Sequence, residues 1–337
     1  MPRCILDESV QRVVMGGTAF PLGVYPVEDT EPRQGYAVEF EPADGDNEGG
    51  EWEEWPDRYV FDVVISAERL VSLVRVLVSM LPGRVFPILD VMGHDAYREI
   101  DPYISYELLG TDRFLDSLRR YAEFFFEDGL VGFGAMCDEP FFYMFIDEHK
   151  IVTIRVPAEE RERIEAALNA FGLSQIPEPA GADAAAHEHR SVLVSPEDNT
   201  ESLTIDEIVE SLREEWQLVL NVDPEANSDD GGRDLGVTAW RCLVRVHADP
   251  EGLEVRYAEV LLDASCLREA EDLACDAVAT LGAAADQAPS FPLDDTLVVQ
   301  ADRMSPEQFK DSVKQARSTP GGIGSEGEPV RWIRWLE

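Results

Sequence analysis

The chain predicts an α+β protein of two domains, each a mostly antiparallel or mixed sheet with helices packed on one face. Three observations predict it. The length of 337 residues exceeds what one hydrophobic core comfortably serves. Short β-rich runs alternate with stretches of helical apolar spacing rather than forming a regular strand–helix repeat. A Pro-, Ala- and Gly-rich polar stretch from 177 to 190 divides the pattern in two. The expected ranges are therefore 1–176, a linker at 177–190, and 191–337.

The first domain opens on an irregular segment. From Glu39 to Asp57 every ionisable side chain is acidic, with Trp52 and Trp55 among glycines and carboxylates, a composition that reads as a loop. Tyr59–Ile65 follows as a strand. Ser66 is placed to cap a helix whose Leu70, Leu73, Val74, Leu77 and Leu81 share one stripe, ended by Pro82 and Gly83. Val85–Leu89 and Tyr103–Leu108 are the next strands. Thr111 is positioned to cap a helix carrying Phe114, Leu115, Leu118, Tyr121, Ala122 and Phe125, which Gly129 stops. Leu130–Met136 and Phe141–Ile146 read as strands, and Ile151–Val156 pairs with the latter across the polar tip Asp147–Lys150. Ile164, Ala167, Leu168 and Phe171 mark a helix before Gly172.

In the second domain Ser191–Val194 reads as a short strand. Thr204 and Glu207 form a capping box for a helix bearing Ile205, Ile208, Val209, Leu212 and Trp216. Gln217–Val222, Trp240–Val246 and Leu253–Leu262 read as strands. A helix from about 264 to 281 aligns Leu267, Ala270, Ala274, Val278 and Leu281. Thr296–Gln300 is a strand, Ser305-Pro306-Glu307-Gln308 a helix start, and Val330–Leu336 a closing edge strand.

Sixty-eight acidic residues against 28 basic ones give a net charge of −40, and only Lys150, Lys310 and Lys314 are lysine. Such a field repels phosphates and anionic membranes, so the chain predicts neither nucleic-acid nor membrane binding. It suits a basic protein partner, or a salty medium in which hydrated carboxylates are screened. The five cysteines form no Cys-x-x-Cys pair, and residues 1–20 lack the basic-then-apolar order of a secretory signal. A reduced cytoplasmic setting follows as the expectation.

Candidate chemistry is sparse. Asp90, His94, Asp95, Glu99 and Asp101 cluster after a buried strand, where carboxylates and a histidine can hold a divalent ion or move protons. Their spacing matches no metal motif, and a solvated loop is the preferred reading. Asp147-Glu148-His149-Lys150 joins three proton-active residue types, and Asp138 and Glu139 would strengthen a site there by converging on His149. Four polar residues are equally what a hairpin tip requires. His187-Glu188-His189 can share a metal only from ordered backbone, and within a linker reads as a pair of surface histidines. Gly132-Phe133-Gly134 lacks the third glycine of a dinucleotide loop and reads as close packing or a bulge. No Gly-x-Ser-x-Gly elbow occurs, and Cys137 beside Asp138 and Glu139 makes a poor thiolate.

The expected function is accordingly noncatalytic: a binding or regulatory protein that engages a partner through its acidic surface, with Trp52, Trp55, Trp332 and Trp335 as aromatic anchors and no cofactor. The alternative is a metal-dependent hydrolase or related enzyme drawing on Asp90, His94, Asp95, Asp138, Glu139 and His149.

Overall fold

The computed structural model describes residues 4–43, 56–194, 198–199, 201–247, 255–284, 296–318 and 329–336. The fold is α+β, in two compact units: residues 1–91 with 102–221, and residues 92–101 with 222–337.

The first unit begins with short strands, β1 (Val14–Met15), β2 (Thr18–Ala19) and β3 (Val24–Pro26), in the stretch expected to be irregular. β4 (Gly35–Glu41) and β5 (Arg58–Val64) pair antiparallel before helix α1 (Ala67–Val78). Ser66 stands at the N-cap of α1, but its hydroxyl accepts a bond from the Ala19 amide at 3.0 Å and leaves the helix uncapped by a side chain. β6 (Arg84–Met92), β7 (Ile100–Ser105) and β8 (Leu109–Gly110) follow. Gly110 occupies the next N-cap, and Thr111 is the first residue of α2 (Thr111–Arg120). The expected single helix breaks at Tyr121 (φ −115°, ψ 40°) into α2 and α3 (Ala122–Glu127).

Strands β9 (Val131–Asp138), β10 (Phe141–Ile146) and β11 (Val152–Val156) then form a meander, followed by α4 (Arg161–Ala170). β12 (His187–His189), α5 (Ile205–Trp216) and β13 (Leu218–Leu220) complete the unit. The main sheet runs β13-β7-β6-β9-β10-β11-β5-β4, with β8 on β6. Along its strands one parity, including Phe61, Val63, Leu89, Phe133, Met144 and Ile154, joins a single core with the apolar stripes of α1 to α5. β9 lies close enough to β10 that a Cβ at Gly134 would stand 2.2 Å from the Met144 carbonyl oxygen. That is the close packing expected of Gly132 and Gly134.

Residues 177–190, expected as a linker, belong to the first unit and are tied by backbone bonds. Arg33 and Ala180 form a bridge, and β12 pairs antiparallel with β3. Composition registers the polar surface of this segment but not the amides and carbonyls that β3 supplies. The strand expected at 191–194 reduces to a bridge between Leu6 and Leu193.

Helix α5 keeps its predicted capping box: the Thr204 hydroxyl accepts from the Glu207 amide at 3.1 Å and the Glu207 carboxylate accepts from the Thr204 amide at 2.8 Å. Thr204→Ala is expected to lower stability by about 1 kcal/mol, read as a reduced urea midpoint with unchanged slope.

The second unit is a sheet in the order β16-β14-β15-β17, built from β14 (Thr238–His247), β15 (Val255–Ala264), β16 (Thr296–Met304) and β17 (Val330–Leu336). Helix α6 (Leu267–Ala284) lies on the Cys242 side, and α7 (Pro306–Ser318) packs on the Leu261 and Trp332 side. Trp332 is therefore a core residue at 2% exposure, which removes it as a partner anchor; Trp335 is half-buried on the same strand. Its basic neighbours Arg331 and Arg334 are spent on Asp263 and Glu259. Trp52 and Trp55 lie outside the described residues. Among the described residues no helix is long and apolar enough to cross a membrane.

Candidate metal centre

The hairpin β10–β11 turns at Asp147–Lys150 as predicted. Lys150 adopts a left-handed φ of 66°, and Asp147 holds the turn by accepting the Ile151 amide on Oδ1 at 2.8 Å. The Lys150 side chain runs inward rather than into solvent. Its ammonium donates to the Val131 carbonyl at 2.5 Å in a fully buried setting. Desolvation pulls its pKa down to about 8, against the charges of Asp128, Asp147 and Glu148. The tip is thereby pinned to β9, and His149 is held at its surface.

Facing it is β12, whose register on β3 sets His187 opposite Pro26, Glu188 opposite Tyr25 and His189 opposite Val24. Strand alternation puts His187 and His189 on one face and the exposed Glu188 on the other. Further bonds hold this strand's end: the Arg190 amide donates to the Gly23 carbonyl at 2.9 Å, and Asp128 accepts from the Ser191 hydroxyl at 2.9 Å and the Val192 amide at 3.0 Å.

The three imidazoles meet edge to face, with ring centroids 4.7–4.9 Å apart and interplanar angles of 73–78°. Nε2 of His187 lies 2.9 Å from Nε2 of His149 and 3.1 Å from Nε2 of His189. Each Nδ1 points outward to an acceptor: His187 to the Ala185 carbonyl at 2.7 Å, His189 to the Gly129 carbonyl at 2.7 Å, and His149 to carboxylate oxygens of Asp147 and Glu148, both at 3.4 Å.

Carbonyls and carboxylates only accept, so each outward nitrogen carries the ring's hydrogen and each Nε2 presents a lone pair. Three lone pairs thus converge on one point. One proton relieves one contact at most, and charging all three rings would press like charges together in a half-buried space. Burial opposes charge on His149, but Asp147 and Glu148 outweigh it and raise its pKa above the ordinary imidazole value. Burial lowers His189 instead, and the neighbouring histidines add to that effect while Gly129 and Glu148 oppose it.

The other sequence candidates fall elsewhere. Asp138 and Glu139 occupy the opposite end of β10, exposed and six strand residues from the tip, roughly 20 Å away; they do not converge on His149. Asp90 lies on β6, on the parity facing away from the helices, where burial and the Glu148 charge raise its pKa to about 6. In the second unit the Asp95 oxygens lie 2.9 and 3.0 Å from Nε of Arg303 and one of them also accepts the Tyr97 amide at 2.9 Å, while His94 is exposed. Asp101 pairs with Arg98 at 2.5 Å. Among the described residues the three-donor groups are His149 with His187 and His189, and Asp147 with Glu148 and His149. The sequence missed the partnership of His149 with the His-x-His unit because 38 residues separate them. The available signal was the alternation itself, in a chain with only five histidines.

No protein-family model, curated protein or solved structure matches this chain.

Proposed function

We propose that this protein is a metal-binding protein whose centre, His149, His187 and His189, takes a borderline divalent transition ion, zinc foremost. The observation that carries this reading is the meeting of three Nε2 lone pairs with every Nδ1 turned out to a carbonyl or carboxylate. Imidazoles at roughly 2.0–2.1 Å from a tetrahedral ion have nitrogens about 3.3 Å apart. The spacings of 2.9 and 3.1 Å are compact by a few tenths of an ångström. Imidazole nitrogen suits zinc, copper, nickel and cobalt and disfavours calcium and magnesium, which want oxygen. The outward bonds fix each ring's tautomer, as outer partners of metal-bound histidines do.

This reading keeps His149 from the metal-dependent alternative and replaces its carboxylates and His94 by His187 and His189. Docking through an acidic surface loses Trp332 as an anchor, since that side chain is buried in its own sheet.

The test is metal content and affinity of the full chain. After equilibration with zinc and removal of the excess, about one ion per chain is expected, with His187→Ala and His189→Ala each weakening binding by at least about 100-fold. Absence of stoichiometric zinc, or zinc retained undiminished when both histidines are replaced, would sink the proposal.

A further inference from the structure

We infer that the ion held by these histidines keeps a fourth coordination position for an exogenous monodentate donor, water at rest and a small ligand such as azide or imidazole when supplied. The inference rests on the metal-binding reading above and goes beyond it, because a closed four-ligand site would bind the same ion and exchange nothing.

The side chains nearest the cluster are each turned elsewhere. Asp147 and Glu148 approach His149 at Nδ1, the ring atom opposite the converging Nε2. Asp147 also spends Oδ1 on the Ile151 amide. Glu188 projects from the other face of β12 and is exposed. Asp183 is exposed and accepts the Gly181 amide at 3.2 Å. Lys150, the adjacent polar group, is a cation already donating to Val131. Among the described residues the ligand atoms that converge with the three histidines are the histidines alone.

Two chemical consequences follow. Structural zinc sites close with four protein ligands, whereas three leave a position for water or a small molecule. Three neutral imidazoles also leave the ion's double charge uncompensated by its ligands, which favours an added donor, an anion above all. All three histidines are half-buried rather than enclosed in the core, and carbonyl bonds hold the rings of His187 and His189.

Cobalt(II) substitution of the full chain tests this directly, because its visible d–d bands report ligand number and exchange. The expected result is a cobalt-bound protein whose bands shift saturably, as for one site, on titration with azide and again with imidazole. Glu188→Gln and Asp183→Asn, at exposed carboxylates that bond none of the three rings, are expected to leave the resting bands unchanged. Cobalt that binds but ignores both ligands overturns the open position while metal binding stands. A shift of the resting bands in either carboxylate variant would make that carboxylate the fourth ligand and overturn it as well. Failure of both cobalt and zinc to bind removes the metal reading itself, and this inference with it.

Discussion

Replacing Asp95 by alanine is expected to destabilise the second unit by about 3–5 kcal/mol, the cost of stranding a buried charge. Asp95 has no exposed side-chain surface, and its carboxylate accepts both Nε and the backbone amide of Arg303. Arg303 is itself 4% exposed, wedged beside Tyr97 and Trp240, with further bonds to Asn227 Oδ1 at 3.2 Å and the Ser228 carbonyl at 2.5 Å. Those two neutral acceptors orient the guanidinium but cannot neutralise it. Urea unfolding followed through tryptophan emission should show the transition that includes Trp240 moving to lower denaturant. The double replacement Asp95→Leu with Arg303→Met should recover only part of the loss, because it removes both charges but leaves the Arg303 and Tyr97 backbone amides without their carboxylate acceptor. A loss below about 1 kcal/mol in the single variant would mean that water reaches the guanidinium, contradicting its burial.

The second large effect concerns pH. Asp302 is 4% exposed, and burial together with the charge of Asp101 raises its pKa from 3.8 to about 6, against help from His94 and Gln300. Its surroundings hold the carboxylates of Asp95 and Asp101, while the guanidinium of Arg98 already binds Asp101 and that of Arg303 binds Asp95. A carboxyl with a raised folded pKa binds more protons folded than unfolded between the two values. Stability from this group is therefore full below 3.8 and is lost as pH rises through about 6. The loss amounts to about 3 kcal/mol, from roughly 1.4 kcal/mol per pKa unit. Asp302→Asn keeps the acceptor for the Gln300 amide, which reaches it at 2.6 Å, and removes the ionisation. The variant should be more stable than the parent at pH 7 by up to that amount and should lack the decline between pH 4 and 6. Equal pH profiles for the two proteins would show that Asp302 ionises without cost.

Much of the scaffold was legible because local chemistry decides it. The β10–β11 tip, the Thr204–Glu207 box and the apolar stripes of α1, α5 and α6 each depend on residues a few positions apart. What escaped is decided at long range. Val24-Tyr25-Pro26 and His187-Glu188-His189 have no hydrophobic alternation, and they are strands only because each supplies the other's hydrogen bonds. Once that pairing was invisible, 177–190 read as a linker, and a linker makes its histidines appear solvated. The centre was therefore half visible: His149 stood out as a proton-active residue at a hairpin tip, while its partners were discounted for want of an ordered backbone. Acidity was legible as a count but not as an arrangement, since Asp95 and Asp128 serve buried bonds that no composition reveals.

The division of the chain carries a practical consequence for anyone cutting it apart. Residues 92–101 leave the first unit and complete the second before the chain resumes at Pro102. A fragment beginning at Val222 would retain Arg303 and discard Asp95, the counterion on which it depends. No single cleavage yields a self-sufficient carboxy-terminal module. Transplanting that half into another protein requires carrying the decapeptide along, so its gene segment travels as two pieces or not at all.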